Sequence, residues 1–344
     1  MVRVTAALCV LGSVLGTGST VSAQACCGAN STTDFGVVAP WMRATAASSL
    51  SYRQGFGSFD TAGRFVAGGD FTDRDVALRI GGGIRLWYQP LQIHGSVPVR
   101  IQHRQIGDES ATRAGFGDIT AALRWTASQP SVDGISLEDP STFVPLCDLF
   151  VGGKAPTGAE PGKDMHPTQA DVFGNGAWEA SVGTRIAKSL TTRHLVALRL
   201  QYDVRFETER DQLDDTTAGF KPGNQLNLRF EYLYTDSIFW TGGLFANLRV
   251  AGQSQQDGSA IPDTDERLLN FGIQVIHALA YPQWDLIVAA SSDAFWDQGG
   301  VGVPFASFGL SVAVRRTFLD GDGHGGSDHH GHHGDDGHHE HHGH

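Results

Sequence analysis

The sequence predicts an all-β fold: a single antiparallel transmembrane β-barrel of about 12 strands, followed by a disordered His-rich C-terminal tail. Three observations carry this expectation. Twelve segments show strand-like alternation or β-rich composition, the connections between them are short and long by turns, and every tryptophan falls at or just outside a segment end.

The amino terminus reads as an export signal: Arg3, an apolar stretch from Thr5 to Gly16, then small residues ending at Val21, Ser22 and Ala23, with cleavage expected after Ala23. That stretch is too short and glycine-rich to span a bilayer as a helix, and no later segment approaches the ~20 apolar residues a spanning helix needs. An exported chain without a membrane helix is either a soluble secreted protein or a closed barrel, because only helices and closed barrels satisfy every backbone group within lipid. The organisation expected is 1–23 signal peptide, 24–42 periplasmic N-terminal segment, 43–318 barrel and 319–344 tail. Cys9 leaves with the signal; Cys26, Cys27 and Cys147 remain, an odd number that argues against a disulfide framework.

In chain order the strand segments are 43–54, 75–88, 91–103, 116–127, 142–154, 176–187, 193–206, 224–234, 237–250, 267–280, 284–295 and 304–318. Each has roughly the length a tilted strand needs to cross a bilayer. In the seventh, Val196, Leu198, Leu200, Tyr202, Val204 and Phe206 share one face, with Arg199, Gln201, Asp203 and Arg205 on the other. In the eighth, Leu226, Leu228, Phe230, Tyr232 and Tyr234 oppose Asn227, Arg229 and Glu231. A soluble sandwich turns such a charged face to water outside, whereas a barrel turns its apolar face to lipid. The last segment, ending at Phe318, has the alternation and terminal aromatic residue of a closing strand.

The connections test this independently, since outer-membrane barrels have short periplasmic turns and longer external loops. Gln89–Pro90, Ser189–Thr192, Thr235–Asp236 and Tyr281–Gln283 are brief; 55–74, 104–115, 155–175, 207–223, 251–266 and 296–303 are long and fall between them, and only 128–141 breaks the order. Trp41, Trp87, Trp125, Trp178, Trp240, Trp284 and Trp296 lie near segment ends, where amphipathic rings meet the membrane–water boundary.

The segments GFGDITAALRW at 115–125 and VGGKAPTG at 151–158 resemble a family of outer-membrane channels named for the meta-cleavage pathway of phenol degradation. The resemblance extends over about 40–318 and implies passage of a small aromatic or apolar compound. The histidine tail lies outside that pattern.

The polar strand faces place Arg79, Arg85, Arg100, Arg124, Arg185, Arg199, Arg205, Arg229, Arg249 and Arg315 in the lumen, with fewer acids: Asp118, Asp148, Glu179, Asp203 and Glu231. Two readings follow. A basic lumen favours anions; alternatively, arginine–carboxylate pairs fill the interior as a structural ladder, the reading a small barrel favours. The loops carry Glu207, Glu209, Asp211, Asp214 and Asp215, and Asp257, Asp263, Asp265 and Glu266, which suit solvated loops more than cation sites.

The tail holds His324, His329, His330, His332, His333, His338, His339, His341, His342 and His344, ten of the chain's 15 histidines, among glycine and acids. Neutral imidazoles suit Zn, Ni and Cu, and intervening glycine lets several rings converge on one ion. The tail's six acids supply half of the formal charge of −12. With no apolar surface to bury it is expected to stay disordered without metal. Cys26 and Cys27 offer either soft-metal ligation or, at Cys26, lipid attachment.

His94, His103, His166, His194 and His277 form no HxxxH or HExxH pattern, and no GxSxG elbow occurs. Gly81–Gly83 and Gly152–Gly153 lack the helix and the lysine–serine pair of a phosphate loop. Too few basic residues lie outside the lumen for nucleic-acid binding. The expectation is a non-enzymatic channel or transporter in the bacterial outer membrane, with both termini periplasmic. It needs no cofactor; its partners are outer-membrane lipid, a small solute and transition-metal ions. The alternatives are an outer-membrane lipid hydrolase using a membrane-facing histidine such as His277, and a barrel that only anchors a metal-binding tail.

Overall fold

The computed structural model describes residues 38, 42–59, 65–67, 71–86, 90–128, 134–159, 170, 173–174, 176–211, 217–262, 264–280, 283–294 and 305–319. Twelve strands form its wall. They are β1 (Met42–Phe59), β2 (Phe71–Arg85), β3 (Leu91–Ile106), β4 in two stretches (Glu109–Phe116 and Ile119–Ser128), β5 (Leu146–Ala155) and β6 (Glu179–Ser189). The rest are β7 (His194–Arg205), β8 (Gln225–Thr235), β9 (Trp240–Ala251), β10 (Glu266–Ala280), β11 (Trp284–Asp293) and β12 (Phe305–Leu319). Sequence neighbours pair antiparallel, and β12 pairs back onto β1 from Met42↔Leu319 to Ser58↔Phe305, so the wall closes without an edge.

The wall is inside-out relative to a soluble protein. Leu50, Ile80, Val97, Leu123, Val151, Val182, Leu200, Phe230, Leu244, Ile273, Val288 and Leu310, one from each strand in turn, are exposed on the outer surface. Gln102, Asp148, Arg185, Glu231, Gln274 and Arg315 are at most 3% exposed on the inner one. A continuous apolar belt over charged interior faces is what a lipid surroundings selects.

All twelve expected segments are strands, but two of the expected long loops are largely strand as well. β1 continues to Phe59 and pairs through Gly57↔Ala67 with a short strand, Phe65–Ala67. β3 and β4 extend as a hairpin to Ile106↔Glu109, so 104–115 is a two-residue turn flanked by pairing backbone. Arg104, Gln105, Ser110, Thr112 and Arg113 show no apolar alternation because both faces there meet water. The turn chemistry sets the length instead: Gly107, at φ 59°, takes the left-handed position a two-residue hairpin requires.

At the long-loop end, the β7–β8 and β9–β10 connections build a second sheet of four short strands, Thr208–Asp211, Thr217–Lys221, Gln255–Gln256 and Ser259–Ala260. At the short-turn end, 129–145 is the exception to brevity. It holds a 3-10 turn, Pro140–Phe143, capped by Asp139, whose carboxylate accepts the Ser141 N–H at 2.9 Å. That hydrogen bonding holds Asp139 below the usual carboxylate range.

Trp125, Trp240 and Trp284 lie toward the short-turn end and Trp178 at the opposite one; all four are exposed. Trp240 stacks on His277 with centroids 4.0 Å apart, and the Arg316 guanidinium sits 5.4 Å from the Trp284 ring and 4.7 Å from Phe318. Trp41, Trp87 and Trp296 lie outside the described residues.

Candidate functional site

The strand period turns alternate side chains inward, and register aligns them into rows around the lumen. One row runs Asp148, Arg185, Arg199, Arg229, Asn247, Asn270 and Asp293 across β5 to β11. Every arginine and acid singled out in the barrel sequence sits on this inner face, Arg85 opposite Gln92 and Arg249 opposite Asn227 among them.

Most of them are paired along the wall. Asp148 accepts from Arg124 Nη2 and from Thr126 Oγ1 at 2.8 Å, with Arg185 Nη1 at 3.9 Å. Glu179 joins Lys154 at 2.8 Å and Arg205 at 2.9 Å. Arg229 Nε donates to Glu231 at 2.6 Å, Arg249 lies 3.1 Å from Glu266, and Arg315 donates twice to Asp285. Arg100 forms a two-bond fork with Asp75 at 3.2 and 2.6 Å, and Asp203 accepts from Gln201 and Asn227, both at 2.7 Å.

The inner face holds further charged residues beyond those named from the sequence. Asp73, Asp75, Glu266, Asp285 and Asp293 also face inward. Asp73 fell in an expected long connection and Glu266 in an acidic loop, because strand ends above the apolar belt carry no alternation. Lys154, Arg104 and Arg53 also face the lumen.

Phenylalanine was also missed, because alternation assigns aromatics to lipid. Phe150 and Phe245 point inward. A Cβ at Gly183 would fall 2.3 Å from Phe150 Cζ, and one at Gly272 2.4 Å from Phe245 Cζ, so each ring tip occupies the space a glycine leaves. Arg199 covers the Phe150 ring at 4.7 Å and Arg229 covers Phe245 at 4.4 Å. The result is two clusters in which a glycine makes room for an aromatic ring that a guanidinium covers.

The GFGDITAALRW and VGGKAPTG segments meet. Between Val99↔Phe116 and Ser96↔Thr120, β4 carries one residue more than β3, a bulge at Gly117–Asp118 opposite Pro98. Gly117 N donates to Pro98 O at 2.9 Å. Thr157 Oγ1 donates to Gly117 O at 2.9 Å and accepts from Ile119 N at 3.0 Å, while Asp118 Oδ1 accepts from Gly158 N at 3.1 Å. Lys154 Nζ stands 3.4 Å from Asp118. From the β5–β6 connection Phe173 is buried, its ring within contact of Gly115 and its N–H bonded to Ala159 O at 2.9 Å.

Ahead of β1, Val38 is buried. Its N–H donates to Gln92 Oε1 at 2.9 Å and its carbonyl accepts from Gln92 Nε2 at 2.6 Å. Gln92 faces inward near the short-turn end, so this residue is held on the inner surface.

Between the wall pairs the lumen keeps open space. Cavities of about 300, 310 and 650 Å³ adjoin one another: Arg199 and Gln201 line the first and second, Arg53 and Arg249 the second and third, and Arg79 and Lys154 the first and third. His94 lines the first. His194 instead bonds Tyr232 Oη at 2.6 Å, and His277 Nδ1 lies 3.0 Å from Phe239 O. Among the described residues no group of three or more His, Cys, Asp or Glu is placed to hold a metal ion. The tail histidines from His324 to His344, and Cys26 and Cys27, lie outside the described residues.

No family model matches the sequence, and no curated protein matches it. Among solved structures, the fold is similar to the crystal structure of an outer membrane channel from Pseudomonas putida F1. The identity is 16%, with 83% of this chain and 98% of that chain covered, and the TM-score is 0.63. The CymD monoaromatic hydrocarbon channel aligns at 8% identity over 89% of this chain and 95% of that one, with a TM-score of 0.42. The NanC porin aligns at 10% identity over 80% and 100%, with a TM-score of 0.41. At 16% identity the first likeness shows the fold.

Proposed function

We propose that this chain is an outer-membrane channel or transporter for small solutes, its termini in the periplasm and its tail, 319–344, a ligand for divalent transition metals. The observation that carries the channel reading is the run of adjoining cavities inside a wall whose charges are largely paired. A barrel serving only as an anchor gains nothing from such polar space, while a solute path needs it. The orientation rests on β1 starting and β12 ending beside the short turns, which face the periplasm in barrels of this class. The metal reading rests on the histidine spacing in the tail.

Planar-bilayer recording of the purified protein tests the first part: discrete conductance steps are expected, and a silent bilayer with folded protein inserted would sink the reading. Calorimetric titration of Zn²⁺, Ni²⁺ and Cu²⁺ into the full chain and into a chain ending at Leu319 tests the second. Equal binding by the two chains removes the tail from the account.

A further inference from the structure

The second lumen cavity differs from a generic polar space in the sign and fixity of its charges. About 310 Å³ in volume, it is lined by Arg53, Arg199, Arg229 and Arg249, with Asn247 and Asn270 between them. The acid on its wall, Asp293, is already engaged on both oxygens: Asn270 Nδ2 donates to one at 3.0 Å, and Ser307 N and Oγ to the other at 2.9 and 2.7 Å. Arg229 is held from three sides, by Glu231, by Asn247 Oδ1 at 3.1 Å and by the Phe245 ring, and is only 8% exposed; its remaining Nη2 is enclosed by protein, with no acceptor among the described residues. Arg249 approaches Glu266 without an aligned hydrogen bond from Nε. Arg53 is exposed into the lumen.

Arg53 and Arg249 thus present their guanidiniums beside a wall that the contacts of Arg229 and Asp293 hold in place, in a space that low-dielectric walls shield. Guanidinium forks match the planar or tetrahedral oxygens of carboxylate and phosphate, and a rigid donor set costs little reordering when an ion arrives.

We propose that this cavity is an oxyanion subsite of the lumen, where Arg53 and Arg249 hold the carboxylate or phosphate of a small solute in transit; this rests on the channel reading. The paired charges along the wall then act as neutral lining, and the cavity is a selective step among the described residues.

Two measurements test the subsite separately from the channel. Calorimetric titration of the full-length protein in detergent with acetate, citrate and inorganic phosphate should show saturable binding by at least one, and the Arg53→Gln/Arg249→Gln variant should lose about tenfold or more in affinity. Carboxylate-only binding assigns the first source and phosphate-only binding the second. No saturable binding to the unaltered protein, or equal affinity in the variant, overturns the subsite. In bilayers, the zero-current potential across a KCl gradient should report anion preference, shifting toward cations in the variant. Conductance with cation preference overturns the subsite and leaves the channel standing; saturable binding without conductance does the reverse.

Discussion

The Arg229 guanidinium lies 4.4 Å over the ring of Phe245, and that ring lies close against Gly272, where a Cβ would fall 2.4 Å from its Cζ. A Cβ there would also fall 2.3 Å from the Ala290 carbonyl oxygen, so Gly272→Val is expected to crowd both the ring and the next strand's backbone, costing about 1–3 kcal/mol of folding stability. Urea unfolding of the barrel in vesicles, followed by tryptophan fluorescence, reads the effect; an unchanged midpoint would show that the cluster is not tight.

Asp148 stands between two buried arginines, Arg124 and Arg185. Removing the carboxylate leaves both cations enclosed without their shared counter-charge, so Asp148→Ala is expected to destabilise by about 3–5 kcal/mol. Thr126→Val removes one hydrogen bond to the same carboxylate and should cost less. The comparison of the two variants by urea unfolding distinguishes loss of charge from loss of packing: similar midpoints would contradict the ladder.

Gln92 holds both backbone groups of Val38 through one side-chain amide. Gln92→Ala should release this attachment, and the single-channel conductance is expected to rise because the inner surface near the short turns is cleared. Gln92→Glu keeps the acceptor for the Val38 N–H and loses the donor to its carbonyl, so it should give an intermediate value. Conductance equal to the parent in both variants would show that Val38 does not narrow the path.

The outer belt should be intolerant where the lumen is tolerant. Leu244 faces Ile273 across β9 and β10, both 56% exposed at the middle of their strands. Leu244→Arg is expected to cost about 2–4 kcal/mol, the penalty for a cation at the bilayer midplane. Ser291→Arg, on the inner face, should change conductance with a much smaller change in stability. Equal destabilisation by the two would place both faces in the same solvent.

The strand count was legible because lipid imposes apolar alternation over a fixed thickness, and it printed that constraint on every strand from Leu50 to Leu310. Where lipid stops, legibility stops. The β3–β4 hairpin beyond the belt and the four-stranded outer sheet rest on turn chemistry and on pairing between distant loops, which alternation does not encode. In the lumen, the arginines of the polar faces could be read directly. Strand parity turns Phe150 and Phe245 inward, but the room for their rings comes from a glycine on the adjoining strand, Gly183 or Gly272, more than 25 residues away in sequence. The one cue was a lone aromatic out of phase with its strand.

The seam between β1 and β12 sets a schedule for biosynthesis. The first wall strand to leave the ribosome has its final partner in the last one, so Met42 waits for Leu319 while the strands between them are made. Until then two rows of backbone donors and acceptors are open, and hydrocarbon cannot satisfy them. A nascent or prematurely terminated chain lacking β12 is thus an aqueous species with adhesive margins, dependent on chaperoning, and commitment to the bilayer is deferred until translation has passed the final strand.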